Sequence, residues 1–344
     1  MSGTARLPPG KLPGEFLSRL LAKYPIADER VVIGPGIGRD SAAITFGDET
    51  LVVKTDPITF ASDRAAHHLV HINANDIACQ GGTPRWLLVT ALLPEQETTP
   101  ATVEAMFREL NLAATEIGVS VIGGHTEITV GLNRPILIGT MLGIAEHGRL
   151  ISPVHAKPGD RLLMTKSAGI EGTALLAMEY RARLAISIDE VTLNRSANFL
   201  TDPGISILAE ASALNLAGAA TALHDPTEGG VATAVRELSE ATGCGAIVSK
   251  SAVTVAAETT RICEALALDP LGLLSSGSLL AVVPADRIEF ATEALNVIGI
   301  PYSWIGKLTP LEAGIRMRID DHFVDLPQFP VDEVARFMAG ADGE

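Results

Sequence analysis

Hydrophobic and polar positions along the first half of the chain predict strands that alternate with helices. Four strands are predicted where apolar runs end near Asp, Pro or Gly, at 50–55, 86–92, 119–122 and 135–145. Two helices are predicted between them, at 65–79 and 102–117. The order β-α-β-α-β-β indicates a mixed α/β layer, and neither a helix bundle nor a sandwich.

Turn-forming residues indicate where the chain divides. Residues 1–38 hold five prolines, four of which, Pro8, Pro9, Pro13 and Pro25, lie around one short amphipathic stretch, and this predicts a flexible N-terminal lead-in. A turn-rich break, SPVHAKPGD, falls near 151–159 and separates a first domain, 39–150, from a second α/β domain, 151–344. The second domain is predicted to contain strands at 161–165, 279–283 and 315–319, and helices at 172–183, 193–216, 229–242 and 289–298. A ligand cleft is expected where loops of the two domains meet.

Composition and charge exclude some classes of function. The 344 residues are 47% hydrophobic and 19% charged, so the chain can bury two ordinary cores. The net charge of −15, without a basic run, argues against nucleic acid and anionic membranes as partners. Three widely spaced cysteines and an N-terminus without an apolar signal segment predict a soluble, cytoplasmic protein.

Acidic residues occur beside small residues in four loops, directly after a predicted strand or before a predicted helix. They are Asp40, Asp56, Asp76, Asp225 and Glu228. Separated carboxylates at strand ends suit Mg²⁺, which prefers oxygen ligands and bridges carboxylates to phosphates. Each loop taken alone is also explained by the preference of Asp for turns and helix N-caps.

Glycines and other polar residues add weaker candidates. Gly123 and Gly124 follow a predicted strand, where a glycine pair forms a turn or lets backbone N–H groups approach a phosphate. Rossmann and P-loop patterns are absent from the sequence. His67, His68 and His71 share one predicted helix and are interpreted as exposed or capping residues. Cys79 is interpreted as a small buried residue, and Ser275–Ser278 as a polar turn or a substrate-facing loop.

Together these motifs resemble the PurM-like ATP-binding superfamily, which includes aminoimidazole ribonucleotide synthetase, thiamine-phosphate kinase, selenophosphate synthetase and the hydrogenase-maturation protein HypE. Each motif matches a family pattern in the right order: Asp40 in GRDSAAI with GDDAA, Thr55-Asp56 with TTD, Asn75-Asp76-Ile77-Ala78 with NDxAxxGxxP, Gly123–Thr126 with GGDT, 158–172 with PGD…G..G, and 224–231 with DxTxGG. The resemblance covers nearly the whole chain.

The resemblance implies a PurM-like α/β (α+β) architecture. An N-terminal mixed-sheet domain would form a homodimer, a C-terminal α/β domain would follow, and ATP would bind with Mg²⁺ in the groove between them. Carried over by position, the metal ligands would be Asp40, Asp56, Asp76 and Asp225, with Glu228 as a further candidate. The nucleotide would contact Thr55, Gly123, Gly124, Thr227, Gly229 and Gly230.

Departures from the family pattern bear on the reaction. His125 replaces the Asp of GGDT, and Glu127 is the nearby acid that could replace it; His125, Glu127 and His224 are the catalytic candidates. HypE proteins usually end in a cysteine that carries the carbamoyl group, whereas this sequence ends Asp342-Gly343-Glu344. The acid of the HypE Glu-Gly loop is also replaced, by Ser275-Ser276-Gly277.

Three hypotheses follow, and the pattern as a whole resembles most the HypE-related branch. The first is a Mg²⁺-dependent ATP-using enzyme that activates an amide or carbonyl oxygen of a small-molecule or protein-borne acceptor, in hydrogenase or metallocentre maturation. The second is a small-molecule kinase like thiamine-phosphate kinase. The third is a non-catalytic dimer that binds nucleotide or docks on a partner.

Overall fold

The computed structural model describes residues 12, 14–36, 41–59 and 64–341. The first half is built around one sheet, and its elements in chain order are α1 (Gly14–Leu21), β1 (Val31–Ile33), β2 (Ala42–Phe46), β3 (Glu49–Ile58), α2 (Ala65–Cys79), β4 (Thr83–Pro94), α3 (Pro100–Glu116), β5 (Ser120–Thr129) and β6 (Ile136–Ala145). Within the described residues the strand order is β1-β2-β3-β6-β4-β5. Only β4 and β5 of these run parallel, joined by α3, so the mixed sheet is confirmed.

The second half is built around another sheet. Its elements are β7 (Arg161–Thr165), α4 (Ile170–Glu179), α5 (Arg181–Leu184), α6 (Glu190–Ala197), α7 (Leu208–Leu216), β8 (Ala222–His224), α8 (Gly230–Thr242), β9 (Gly245–Ser249), α9 (Ala257–Leu266), β10 (Leu280–Val283), α10 (Ile288–Val297), β11 (Tyr302–Thr309), β12 (Ile315–Ile319), β13 (His322–Asp325) and α11 (Glu333–Ala341). The strand order in this part of the chain is β13-β12-β9-β11-β7-β10-β8.

Helix α2 lies at the centre of the molecule, and all fifteen of its residues are buried. One side packs on β3, β4 and β6, while the other meets α7 and β8 of the second half. The Asn75 amide joins the halves, because its Nδ2 donates to Ile205 O at 2.9 Å and its Oδ1 accepts from Ile207 N at 3.0 Å. The Asn of the NDxA pattern therefore holds the two halves together.

Most predicted elements are confirmed, and several differ in extent. The helix at 65–79 and the strands at 161–165 and 315–319 have the predicted bounds. The predicted helix at 193–216 is interrupted, because residues 201–207 form an irregular segment between α6 and α7. The predicted strand at 119–122 continues through the glycine pair to Thr129. Strands β1, β2, β8, β9, β11 and β13, with helices α9 and α11, were not predicted.

Candidate functional site

Two of the predicted metal ligands, Asp56 and Asp76, lie close together where α2 packs on β3. Asp56 on β3 and Asp76 on α2 both face Lys54, whose Nζ lies 2.9 Å from Asp76 Oδ2 and 3.5 Å from Asp56 Oδ2. The Asp56 backbone N–H also donates to Asn73 Oδ1 of α2 at 3.1 Å. Strand alternation explains the arrangement, because residues 54 and 56 point to one face of β3, the face that α2 covers. We call Asp56 and Asp76, which Lys54 bridges, the lysine-bridged pair.

Thr55 points to the opposite face of β3. Its hydroxyl donates to Gly139 O at 2.8 Å and accepts from Thr140 Oγ1 at 3.2 Å. The predicted nucleotide contact and the predicted metal ligand next to it therefore lie on different faces of the sheet. The remaining predicted ligand of this half, Asp40, lies outside the described residues.

The glycine pair lies within a strand and not in a turn. Gly124 has φ 144°, and a Cβ at this position would lie 1.8 Å from Val89 O on the neighbouring strand. The register between β4 and β5 shifts just before the pair, so glycine permits a bulge and a close approach of two backbones. Asp56 and Gly124 share one row across β3, β6, β4 and β5. Three strand spacings put them about 14 Å apart.

His125 and Glu127 contact each other at the edge of the sheet. His125 Nε2 lies 3.2 Å from Glu127 Oε2, and both side chains are exposed. Both residues face away from α2, since they pair in register with Thr90 and Leu92 of β4. Neither side chain joins the lysine-bridged pair. In the described part of one chain, the predicted N-terminal site residues thus form two separate groups.

The second group of predicted ligands follows β8, where Asp225 is almost fully buried. Glu228 and the glycines that open α8 come next along the loop. The Gly229 N–H, a predicted nucleotide contact, donates to Asp332 Oδ2 at 2.8 Å, and Gly230 N donates to Thr227 O at 3.0 Å. A carboxylate at a helix N-terminus is favoured by the helix dipole. Asp332 therefore occupies, in this structure, the kind of position in which a phosphate would bind.

Two further buried acids, Glu171 and Asp332, complete an acidic group with buried Asp225 and half-buried Glu228. Burial raises the pKa of Glu171 to about 8, and the charges of Glu228 and Asp225 add to the effect. Burial also raises the pKa of Asp332 to about 7, against the N–H groups of Gly229 and Val334, with Glu228 and Glu171 contributing in the same direction. We call these four residues the C-terminal acidic group.

Glu171, Asp332 and Lys54 were not predicted as site residues. The sequence does carry a signal for two of them, because Glu171 interrupts the apolar run KSAGIEGTALL and Lys54 interrupts LVVKTD. A charged residue inside an apolar element is buried only when it is paired or neutralised. Asp332 lies in the tail segment FPVDEV, more than a hundred residues from Gly229, and no local pattern marks it.

Glu171 contacts the first half of the chain through His68. Glu171 Oε1 lies 3.4 Å from His68 Nε2, and both side chains are buried. His68 Nδ1 lies 2.8 Å from Arg64 O, and because a carbonyl only accepts, the hydrogen of a neutral ring is on Nδ1. Nε2 is then an acceptor facing a carboxyl whose pKa is near 8. The two side chains thus approach each other between helices α2 and α4 without a hydrogen bond from His68 Nε2.

The prediction that the three histidines are exposed or capping is wrong. His67, His68 and His71 are all buried, because the second half covers the side of α2 that faces away from the sheet. Burial lowers the pKa of His67 to about 3 and that of His71 to about 4, so both rings are neutral near pH 7. Cys79 is buried as predicted, and Ser275–Ser278 are also buried.

His224, the third catalytic candidate, is paired within the second half. Its Nε2 lies 2.8 Å from Glu237 Oε2 on α8. A cavity of about 120 Å³ lies nearby between the halves, lined by Asp76 and Gln80 on one side and by Ala222 and Leu223 on the other. Asp76 therefore belongs to the lysine-bridged pair and also lines a cavity between the two halves.

The residues fit a magnesium ion better in one group than in the other. Across the described residues, no three His, Cys, Asp or Glu side chains converge in an arrangement that could hold a metal. In the lysine-bridged pair an ammonium already lies between the carboxylates. In the C-terminal acidic group burial is the main cause of the raised pKa values of Glu171 and Asp332. The negative charges of Glu228, Asp225 and Glu171 add to it, so a hard cation there would offset negative charge.

Family models match both halves of the chain. The N-terminal domain model of AIR synthase related protein matches residues 38–145, and the C-terminal domain model matches residues 157–317. The chain belongs to the AIR synthase related protein family. A member from Cupriavidus necator, carbamoyl dehydratase HypE, is 30% identical over 75% of this chain and 73% of its own. A hydrogenase expression/formation protein of Methanocaldococcus jannaschii is 26% identical over 92% of this chain and 94% of its own.

Two solved structures have the same fold as this chain. Hydrogenase maturation protein HypE in complex with ATP aligns with a TM-score of 0.70 at 23% identity, over 92% of this chain and 91% of that one. AaThiL complexed with AMPPCP and TMP aligns with a TM-score of 0.72 at 20% identity, over 95% and 98%. The fold is therefore PurM-like. No helix in the described ranges is long and apolar enough to span a membrane.

Proposed function

We propose that this protein is an ATP-dependent enzyme that activates an amide or carbonyl oxygen by phosphoryl transfer, in the maturation of a hydrogenase or another metallocentre. The observation that carries the proposal is the C-terminal acidic group: Asp225 and Glu228 lie in the β8–α8 loop, Asp332 accepts from the Gly229 N–H of that loop, and Glu171 contacts His68 of α2. The similarity to carbamoyl dehydratase HypE and to a HypE structure with ATP supports the choice of reaction.

An amide oxygen is a poor leaving group, and phosphorylation makes it a good one. Attack of that oxygen on the γ-phosphorus releases ADP, and the oxygen then departs with phosphate, a far better leaving group. Asp225 and Glu228 would hold Mg²⁺, which neutralises charge on the phosphates. The Glu171 carboxyl, whose pKa is raised to about 8, would carry a proton at the boundary of the two halves and could give it or take it back there.

Calorimetry with ATP tests the binding step. Wild-type protein should bind ATP more tightly with Mg²⁺ than without it, and Asp225→Asn should weaken the magnesium-dependent binding at least tenfold because it removes a charge facing the metal. Asp286→Asn, on an exposed surface residue, is the matched control and should bind as wild type does. A wild-type protein that does not bind Mg·ATP would refute the proposal.

Turnover assays separate the three hypotheses of function. Release of phosphate and ADP that small carboxamides stimulate would support activation of an amide oxygen. ADP formation stimulated by thiamine monophosphate, without such a response to carboxamides, would indicate a kinase. Tight ATP binding without turnover in the presence of either compound would indicate a non-catalytic nucleotide-binding protein.

The proposal includes a homodimer formed through the open face of the first sheet. The sheet face away from α2 carries apolar side chains in register on neighbouring strands, such as Trp86 opposite Leu142 and Leu92 opposite Ile136. Trp86 and Leu88 are partly exposed there, and the sheet ends at the exposed strand β5. A second copy would cover a sheet face that a monomer leaves in water.

Sedimentation tests the dimer. Trp86→Glu places a charge on the open face and should convert a wild-type dimer to a monomer, whereas Val297→Glu, at a more exposed apolar position on α10, should leave the mass unchanged. A monomeric wild-type protein would contradict this part. The three buried free thiols, Cys79, Cys244 and Cys263, fit a reducing, cytoplasmic setting.

A further inference from the structure

Lys54 is a charged residue that directly follows the apolar part of strand β3. It comes after Leu51-Val52-Val53, and its side chain is only 13% exposed. Burying an ammonium group costs several kcal/mol unless opposite charges surround it. Here Asp76, 4% exposed, and Asp56 both lie within 3.5 Å of it. The burial of Lys54 is therefore explained by these two carboxylates.

The ammonium and a divalent ion would compete for one space. Mg²⁺ binds carboxylate oxygens at about 2.0–2.1 Å and requires near-octahedral geometry. Lys54 Nζ already lies 2.9 Å from Asp76 Oδ2 and 3.5 Å from Asp56 Oδ2. A metal that bridged these two oxygens would overlap with Nζ. The pair can hold the ammonium or the metal, and in this structure it holds the ammonium.

We propose that Lys54 is the built-in cation of the Asp56–Asp76 pair and keeps divalent ions out of it. The inference concerns the same site as the proposed function and rests on that function for its biological meaning. If ATP is the substrate, its divalent ion is then held by Asp225 and Glu228, and Lys54 is a positioning residue that holds β3 to α2. The two carboxylates that resemble family metal ligands act here as partners of a lysine.

Manganese binding without nucleotide tests the proposal directly, with Mn²⁺ as a paramagnetic probe for Mg²⁺. Lys54→Met should create an additional Mn²⁺ site, with a Kd at least tenfold lower than any binding that wild-type protein shows at the pair. The double variant Lys54→Met/Asp56→Asn should lose the new site, and Lys54→Arg should not gain it. Lys307→Met, at an exposed lysine of β11, is the matched control and should titrate like wild type.

A second measurement does not depend on how well a Lys54 variant folds. Asp56→Asn in an otherwise wild-type chain should leave the affinity and number of Mn²⁺ ions unchanged, because Asp56 does not bind metal while Lys54 is present. Loss of a Mn²⁺ ion in Asp56→Asn, or identical titrations of wild type and folded Lys54→Met, would overturn the proposal.

These outcomes are separable from those of the proposed function, because the titrations contain no ATP. A protein that does not bind ATP, but whose Lys54→Met variant gains the manganese site, would refute the proposed function and support the role of Lys54. If the protein binds Mg·ATP but its Asp56→Asn variant loses a Mn²⁺ ion, the proposed function is supported and the role of Lys54 is refuted.

Discussion

The two groups of buried carboxylates in this molecule are neutralised in different ways. In the lysine-bridged pair, a side chain of the same sheet supplies a fixed positive charge to Asp56 and Asp76. In the C-terminal acidic group, burial and mutual repulsion raise the pKa values of Glu171 and Asp332, so protons take part in the neutralisation. The first group should therefore be insensitive to proton concentration near neutrality, and the second should respond both to pH and to added cations.

The largest effect that tests this contrast is the pH dependence of stability. The pKa of Glu171 is raised from 4.5 to about 8 and that of Asp332 from 3.8 to about 7, so between these limits the folded chain binds protons that the unfolded chain releases. Their contribution to the free energy of unfolding should fall as pH rises through that window, by up to about 1.4 kcal/mol per pH unit for each carboxyl.

Urea unfolding of Glu171→Gln at pH 5, 6, 7 and 8 isolates this contribution. Glutamine resembles the protonated acid and cannot ionise, so the variant should gain stability relative to wild type as pH rises. Glu289→Gln, at an exposed glutamate of α10, is the control and should follow the wild-type profile. Parallel profiles for wild type and Glu171→Gln would show that Glu171 does not retain its proton on folding.

The next effect concerns the lysine-bridged pair. Asp76→Asn removes the nearer partner of a buried ammonium and should lower the free energy of unfolding by about 3 kcal/mol, because the buried charge keeps only the more distant and more exposed carboxylate of Asp56. The loss should be the same at pH 6 and pH 8, in contrast to the behaviour of Glu171→Gln. Denaturant unfolding at both pH values measures it.

A double-mutant cycle with Lys54→Met sharpens this result. If the ion pair accounts for the loss, the coupling energy between positions 54 and 76 should be about 1–3 kcal/mol. Asp48→Asn, in the exposed turn before β3, is the control and should change stability by less than about 0.5 kcal/mol. Additive effects of the two substitutions would argue against a Lys54–Asp76 interaction.

The two groups also differ in how far the sequence predicts them. The bounds of α2 and the position of Asp76 on it were predictable, because apolar spacing and the NDxA pattern are local features. The carboxylates after β8 were found in the same way. Glu171 and Asp332 join Asp225 only through packing, and Lys54 acquires its role only because α2 covers β3. Interactions between distant segments leave no periodic signal in a single sequence.

The three histidines of α2 show the same limit of prediction from a local sequence pattern. The pattern of α2 does not reveal that a second half of the chain covers it, so residues that a one-sided helix would expose are buried. The glycine pair looked like a turn, because the sequence does not show that β5 continues beyond it or that Val89 approaches its backbone. In both cases a neighbouring segment, and not the local pattern, determines the structure.

The smallest expected effect lies at the edge of the C-terminal acidic group. Asp332 accepts from Gly229 N at 2.8 Å and from Val334 N at 2.7 Å, so it joins the loop before α8 to the start of α11. Asp332→Asn should lower the free energy of unfolding by about 1 kcal/mol at pH 5, because the amide NH₂ group of the new side chain faces one of these N–H donors. The cost should shrink by pH 8, since wild type loses the contribution of its raised pKa over that range. Urea unfolding beside Asp321→Asn, an exposed control, measures the difference, and a cost that stays the same from pH 5 to pH 8 would place Asp332 with the lysine-bridged pair instead.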